Sequence, residues 1–363
     1  MTTSTTSPGI WRWSELVTPV DPAHHISRGE ANTPLIDLSA AFTHHLNGAR
    51  LFLKAEYLNP TGSFKDRVAA MAVAIALDRG HHGIIGTSSG NGGAALAVYA
   101  AAAGLPALVL TLPDAPAGKL AHILAAGAHV QPVRGLGADA HSTLRTVQSV
   151  LETASEHHWL PFLTGARFAP DIMSGAETIA FEIDAALPEV THVYAPVGGG
   201  GLVSSLYRGF SKTRARPRVR AVQPAGCPTV RQALEGASEA DLPPARTTVS
   251  GLQVSILFDD VVTVVSAPGN ALIEIDDVQT TAVQRSLASA GVLVERAGAA
   301  ALAGAIHDSA SLGPGDSVVV IGTGAGWKTF SDYAKVGHHL PAPREASDLP
   351  AVLAGIPILK GHE

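Results

Sequence analysis

The chain has 363 residues, of which 46% are hydrophobic and 15% charged, so it is long and apolar enough to bury a large core shared by two lobes. The formal net charge is −6 and no stretch is strongly basic, which argues against nucleic acid as a partner. The single cysteine, Cys227, excludes an internal disulfide and a cysteine-based metal cluster. The 16 histidines lack companions at ligand spacing, so we expect no metal site.

Two segments bear on targeting and membrane insertion. Met1–Pro8 is polar and lacks the basic head and apolar core of a signal peptide. The uncharged stretch between His82 and Asp114 is interrupted by Gly86–Gly93 and Pro106, whereas a membrane span needs about 20 unbroken apolar residues. We therefore expect a soluble, cytoplasmic protein without a membrane partner.

Strands and helices are predicted to alternate along most of the chain. An apolar run, Leu51–Tyr57, precedes a helix that starts near Lys65 and ends near Gly80. The further predicted strands are Ile84–Gly86, Ala107–Leu112, Val130–Val133, His192–Val197, Arg218–Gln223, Val261–Ser266 and Ser317–Gly322. The further predicted helices are Ala94–Ala103, Gly118–Ala126, His141–His157, Ser174–Leu187, Leu202–Lys212, Asp276–Ala290 and Ala299–His307. This alternation predicts an α/β fold with mostly parallel sheets, helices on both faces, and binding sites beyond the carboxyl ends of the strands.

The segment Asn59–Arg67, with the sequence Asn-Pro-Thr-Gly-Ser-Phe-Lys-Asp-Arg, places a lysine at the start of a helix. Its proline and glycine predict a turn, and Ser63 is a candidate helix cap. Lys65 then lies at the positive end of the helix dipole and close to Arg67, which disfavours its ammonium form. That setting suits an amine that attacks a carbonyl group, although a lysine near a helix start is also common on protein surfaces.

Two further loops join a strand to the start of a helix. Thr87–Gly93 offers hydroxyl groups and free backbone amides that suit a carboxylate, and the side-chain amide of Asn91 suits a phenolic oxygen. Pro196–Leu202 contains four consecutive glycines, whose N–H groups suit an oxyanion. No Walker-type lysine and no dinucleotide glycine pattern is present, so a small phosphate monoester is the better guest. Each loop taken alone also fits an ordinary turn.

A fourth loop, Gly322–Gly326, follows the apolar strand that ends the alternating pattern. Thr323 would present a neutral hydroxyl group at the carboxyl end of that strand, where sites form in such sheets.

In this order, the four elements resemble the fold type II pyridoxal-phosphate enzymes, which include threonine synthase, serine and threonine dehydratases, cysteine synthase and the tryptophan synthase β chain. The resemblance extends from about Glu30 to Lys328. The segment Val294–Ala300 is also similar to a helix start of this family, with Arg296 in place of the usual proline. The resemblance implies a two-lobed enzyme with pyridoxal 5′-phosphate as its cofactor and the active site in a cleft.

The resemblance also assigns roles to individual residues. Lys65 matches the lysine that binds the cofactor covalently and catalyses the reaction, and Phe64 lies beside it in the cofactor site. Asn91 matches the asparagine that bonds the 3′-oxygen, and Thr323 the hydroxyl residue that faces the pyridine nitrogen. The phosphate cup matches Gly198, Gly199, Gly200, Gly201 and Leu202. For the substrate, the carboxylate loop matches Ser88, Ser89 and Gly90, and Arg167 is a candidate for binding a phosphate group.

Within the family the signals are divided. Gly29–Leu35 and Phe64 resemble threonine synthase, whereas Thr164–Asp171 and the glycine loop Pro196–Leu202 resemble a dehydratase. The resemblance therefore implies a lyase that eliminates a β or γ substituent, hydroxyl or phosphate, from a small amino acid. A β-replacement synthase that makes an unusual amino acid is the alternative, and a non-catalytic binding protein on the same fold is a remote one.

The expected domain organisation follows the same resemblance. An N-terminal arm comprises residues 1–28, and a C-terminal tail comprises residues 341–363. The larger lobe is expected to contain residues 29–50 and 166–340, and the smaller lobe residues 51–165. The family is commonly dimeric, so we expect a homodimer.

Overall fold

The computed structural model describes residues 8–88, 90–115, 117–165, 167–238, 241–254, 256–257, 261–334, 345–348, 350 and 352. The chain forms two compact units, residues 1–328 and residues 329–363. The second unit contains a short helix, Phe330–Ala334, and a 3₁₀ turn, Ala346–Asp348. The strands and helices labelled below belong to the first unit. No helix in the described ranges is long and apolar enough to cross a membrane.

The strands form two separate sheets. In chain order they are β1 (Leu35–Asp37), β2 (Arg50–Lys54), β3 (Ile84–Thr87), β4 (Ala107–Thr111), β5 (His129–Pro132), β6 (Leu160–Phe162), β7 (His192–Pro196), β8 (Arg218–Pro224), β9 (Ala271–Ile275) and β10 (Ser317–Ile321). The larger sheet has the order β1–β2–β10–β7–β8–β9, and the smaller one β5–β4–β3–β6. Only the pair β1–β2 is antiparallel among these strands. The prediction of mostly parallel sheets is confirmed.

Helices surround the strands of both sheets. They are α1 (Ser39–Phe42), α2 (Lys65–Asp78), α3 (Asn91–Ala103), α4 (Ala117–Ala125), α5 (Ala140–Glu156), α6 (Pro170–Ala186), α7 (Gly201–Ser211), α8 (Thr229–Leu234), α9 (Val261–Ser266), α10 (Asp277–Ser289) and α11 (Arg296–His307). Helix α2 is buried from Asp66 to Ala76 and packs against both α3 and α6. Its alanines let the neighbouring helices approach closely, so a helix that is apolar all round lies at the centre of the core.

One predicted strand is wrong. The segment Val261–Ser266 forms helix α9, and the strand of this region is β9, which we did not predict. The run of β-branched residues suggested a strand. However, Val261, Val264 and Val265 are the buried residues, and this i, i+3, i+4 spacing is helical. Packing of that face against α7, α8 and β8 outweighs the local strand propensity.

A cluster of four buried charges lies between β2, α2 and α6. The Arg67 guanidinium donates to both carboxylate oxygens of Glu56 at 2.7 and 2.8 Å and to both of Glu182 at 2.7 and 2.8 Å. Lys54 Nζ donates to Glu182 Oε2 at 2.6 Å. Two cations and two carboxylates balance one another, and Glu56 also accepts from Asn59 Nδ2 at 2.9 Å. The cluster therefore fixes the start of the lysine segment to the core.

The expected division into two lobes remains a proposal. The smaller sheet consists of β3 to β6, which lie within residues 51–165. Strand β2 crosses the expected boundary at residue 51, yet it belongs to the larger sheet, because it pairs with β1 and β10.

Candidate functional site

Lys65 is the first residue of α2, as the sequence predicted. Its Nζ lies 4.7 Å from the centre of the Phe64 ring, and the residue is half-buried. Ser63 does not cap the helix through its side chain, since Phe64 holds the cap position and no side-chain cap bond forms. Instead, the Ser63 carbonyl accepts from Asp66 N at 3.2 Å, and its buried hydroxyl has no partner among the described residues.

The expected influence of Arg67 on the Lys65 amine does not follow from the geometry. The Arg67 guanidinium is fully buried and bound by two carboxylates, so its charge is compensated within the cluster. What remains at Lys65 is its position at the helix N-terminus, where the macrodipole disfavours a positive charge.

The Thr323 loop lies directly against the lysine segment. Phe64 N donates to Thr323 O at 3.1 Å, and Ala325 N donates to Gly62 O at 2.9 Å. An antiparallel bridge also joins Ser63 to Gly324. These backbone bonds hold Thr323 next to the start of α2, although the two segments are far apart in the sequence. The Thr323 hydroxyl is buried and has no hydrogen-bond partner among the described residues, so it is available to a ligand.

Asn91 is the first residue of α3, and both ends of its amide are bound. Asn91 Nδ2 donates to Glu295 Oε1 at 2.7 Å, and Lys328 Nζ donates to Asn91 Oδ1 at 2.8 Å. Glu295 N in turn donates to Gly324 O at 2.9 Å, which links this group to the Thr323 loop. We did not predict the contacts of Glu295 and Lys328 from the sequence.

Gly324 makes this arrangement possible. A Cβ atom at this position would lie 2.2 Å from Glu295 Oε1 and 2.8 Å from Asn91 Nδ2. Both distances are far below van der Waals contact, so only glycine lets the two side chains meet over the loop backbone.

The glycine loop forms the N-terminus of α7. Gly200 is the cap residue and has a φ of +101°, a conformation that residues with a Cβ rarely adopt. Gly201 and Leu202 belong to the first turn, whose N–H groups have no acceptor within the helix. Strand β7, which leads into this loop, is the parallel neighbour of β10, which leads to Thr323. Both loops therefore lie at the same edge of the larger sheet.

The predicted substrate residues are only partly described. Ser88 Oγ accepts from Gly90 N at 3.4 Å at the entrance to α3, whereas Ser89 lies outside the described residues. Arg167 is exposed, donates from Nη1 to Leu257 O at 3.4 Å, and lies 5.2 Å from the Phe168 ring centre. Their roles toward a substrate remain predictions.

Two titratable groups near Lys65 have shifted pKa values. Burial raises the pKa of Asp66 to about 7, although Thr61 donates to its carboxylate from both its N–H and its hydroxyl group. Burial lowers the pKa of Lys328, and the nearby carboxylates of Glu295 and Asp66 oppose that effect.

These features fit pyridoxal phosphate. The N-terminus of α7 suits the phosphate group, because its free N–H groups and dipole favour an anion. The unpaired hydroxyl of Thr323 suits the pyridine nitrogen, Asn91 has a second amide hydrogen for a ring oxygen, and Lys65 has the amine that the aldehyde requires.

Comparison with known proteins agrees with this fit. A family model described as "Pyridoxal-phosphate dependent enzyme" matches residues 26–324. Threonine synthase of Methanosarcina acetivorans is 30% identical over 88% of this chain and 80% of its own length. Threonine synthase of Synechocystis sp. is 32% identical over 82% of this chain and 77% of its own length.

Solved structures with the same fold carry several activities. A bacterial threonine deaminase, from T.th., has a TM-score of 0.66 and 27% identity, covering 81% of this chain and 92% of its own. Maize serine racemase has a TM-score of 0.69 and 23% identity, covering 85% of this chain and 94% of its own. The second likeness concerns the fold alone.

Proposed function

Because this chain belongs to the family of pyridoxal-phosphate dependent enzymes, we propose that it is a lyase acting on small amino acids. The reaction is elimination of a β or γ substituent, either hydroxyl or phosphate. Its relatives named threonine synthase and the structural neighbour named threonine deaminase support this class of reaction. The observation that carries the proposal is the buried, unpaired hydroxyl of Thr323, held by backbone bonds beside Lys65.

We assign the cofactor to four groups of residues. Gly198–Leu202 binds the phosphate group, Asn91 bonds the 3′-oxygen, Thr323 faces the pyridine nitrogen, and Lys65 forms the covalent link. When bound, pyridoxal phosphate supplies an electron sink for the α-carbon of the substrate. The neutral hydroxyl of Thr323 leaves the pyridine nitrogen largely unprotonated, which weakens that sink and favours prompt loss of a leaving group.

Lys65 moves the proton. Once the substrate amine has replaced it, the neutral Nζ of Lys65 accepts the proton from the substrate α-carbon. Its place at the N-terminus of α2 supports this role, because the helix dipole favours the neutral amine. The adjacent Phe64 ring restricts where the amine can point.

The substrate carboxylate is assigned to the loop before α3. The free N–H groups at the start of this helix and the Ser88 hydroxyl offer donors to a carboxylate, as Ser89 and Gly90 are predicted to do. A carboxylate bound here would lie next to Asn91, at the carboxyl end of β3.

The contacts of Arg167 favour a hydroxyl over a phosphate leaving group. A phosphate dianion needs several donors and at least one cation. Arg167, the cation predicted for this role, is exposed and is engaged by Leu257 O and the Phe168 ring. Lys328 is engaged by Asn91. We therefore propose that serine or threonine reacts faster than phosphohomoserine.

The test offers serine, threonine, phosphoserine, phosphothreonine and phosphohomoserine side by side to the protein loaded with pyridoxal phosphate. Phosphate, ammonia, 2-oxo acids and new amino acids are measured together. We expect ammonia and a 2-oxo acid in equal amounts, lost in Lys65→Ala and kept in Lys212→Ala, a lysine of the exposed end of α7. Turnover of none of the five compounds would contradict the proposed lyase, and efficient threonine release from phosphohomoserine would contradict the preference for hydroxyl.

We also propose that the protein is a cytoplasmic homodimer, as members of this family commonly are. Size-exclusion chromatography with light scattering measures the mass directly, and a monomer at micromolar concentration would contradict the proposed assembly.

A further inference from the structure

Lys328 and Glu295 hold the Asn91 side chain from both ends, and we call this set of three residues the amide clamp. The Lys328 ammonium is bound to Oδ1 and the Glu295 carboxylate to Nδ2, at 2.8 and 2.7 Å. The three residues come from separate parts of the chain, 204 and 237 positions apart along the sequence. Such a convergence is not a by-product of local structure.

The chemistry of the clamp permits one orientation of the amide. An ammonium has only donors and a carboxylate only acceptors. If the amide rotated by half a turn, its NH₂ group would face the ammonium and its oxygen would face the carboxylate, so both hydrogen bonds would become repulsive contacts. The clamp therefore fixes which side of Asn91 presents its remaining N–H.

We infer that Lys328 is a positioning residue that acts on the cofactor through Asn91. It holds the amide so that the second Nδ2 hydrogen points to the 3′-oxygen, and its charge polarises the amide into a stronger donor. The inference rests on the proposed role of Asn91 toward the cofactor.

The surroundings of Lys328 keep its charge directed at Asn91. The aliphatic end of its side chain packs against Gly62, where a Cβ atom would lie 3.1 Å from Lys328 Cε. Its Nζ also lies 5.7 Å from the Trp327 ring centre. The carboxylates that face it are Glu295 and Asp66, and they oppose the effect of burial on its pKa. The other amine of the site, Lys65, precedes Asp66 in the first turn of α2.

A nearby cation and a strong donor both stabilise the 3′-oxygen as an anion. Loss of either makes the bound cofactor hold its proton more tightly, so the pH at which the visible band of the lysine-bound cofactor disappears rises. Lys328→Met is expected to raise that pKa by about one unit. It is also expected to weaken cofactor binding by about tenfold, the equivalent of one good hydrogen bond. Lys328→Arg keeps the cation and is expected to stay within about threefold of wild type in affinity.

The experiment titrates the visible band with pH and the apo-protein with pyridoxal phosphate, for wild type, Lys328→Met and Lys328→Arg. The two Lys328 substitutions are then repeated in an Asn91→Ala background, since a residue that acts through Asn91 loses its effect when Asn91 is absent. A pKa shift for Lys328→Met that falls below half of its original size in that background supports the inference. A shift of half or more, or no shift in the single variant, overturns it.

Two controls separate this result from other failures. If wild type develops no visible band with pyridoxal phosphate, the cofactor assignment fails before Lys328 is tested, and the inference falls with it. If Lys328→Met does not fold, as judged by thermal unfolding, Lys328→Gln removes the charge but keeps a donor for Oδ1. The same direction of pKa shift is expected there, and its absence overturns the inference.

Discussion

The buried charge cluster makes a specific prediction for Glu182→Gln. The substitution keeps the shape of the side chain but removes the carboxylate that Arg67 and Lys54 share. These partners lower the pKa of Glu182 from 4.5 to about 2. A shift of that size corresponds to about 3 kcal/mol of stabilisation of the folded state. Removing one partner of a buried ion pair costs about 3–5 kcal/mol, so both routes give a similar loss.

The assay is urea denaturation at pH 7, with Glu177→Gln as the matched control. Glu177 lies on the same helix, α6, and pairs with Arg208 and Lys212, whose side chains are 36% and 39% exposed. Its loss is expected to cost about 1 kcal/mol or less, because water screens its partners. The Glu182→Gln variant should therefore unfold at a clearly lower urea concentration with an unchanged slope.

The pH dependence has a definite sign. Because the pKa of Glu182 is lower in the folded protein than in the unfolded chain, its contribution is complete above pH of about 4.5 and is lost as the pH falls toward 2. The difference between wild type and Glu182→Gln should shrink in that range. A loss at pH 7 no larger than that of Glu177→Gln would refute the role given to the buried cluster.

Three further variants test other parts of the account. Gly200→Val forces a β-branched residue into a φ of +101°, and strain of about 1–3 kcal/mol should weaken cofactor binding roughly 10- to 100-fold in a titration of the apo-protein; unchanged affinity would mean that the loop is only a turn. Gly324→Ala drives Glu295 from Asn91, so we expect a similar loss of affinity, with unfolding measured in parallel. Asp66 has a folded pKa of about 7, above its unfolded value, so its ionisation destabilises the fold as the pH rises from about 4 to 7. Asp66→Asn should therefore gain stability relative to wild type across that range, and a parallel pH dependence of the two proteins would contradict the assignment.

Much of the site was predictable because its elements are local. A glycine loop or a lysine segment between a strand and a helix shows its turn residues directly in the sequence, and parallel sheets gather such loops at their carboxyl edges. The loops after β7 and β10 therefore met as expected. The helix starts at Lys65 and Asn91 also followed from local signals.

What the sequence did not reveal depends on distant contacts. Glu295 and Lys328 gain their roles only by meeting Asn91, more than 200 positions away. Ser63 looked like a helix cap, but the backbone bonds of its segment to the Thr323 loop take precedence over a side-chain cap. In Val261–Ser266, burial on one helical face outweighed strand propensity. Each error arose where tertiary packing outweighs a local preference.

The most direct test of the central claim identifies the lysine that binds the cofactor. The protein is loaded with pyridoxal phosphate, its visible absorbance is recorded, and the product is reduced with borohydride, digested and mapped by mass spectrometry. We predict a yellow protein whose visible band is bleached by reduction, with the added pyridoxyl phosphate on Lys65. A protein that stays colourless, or one labelled at Lys328 or another lysine instead of Lys65, would contradict the account.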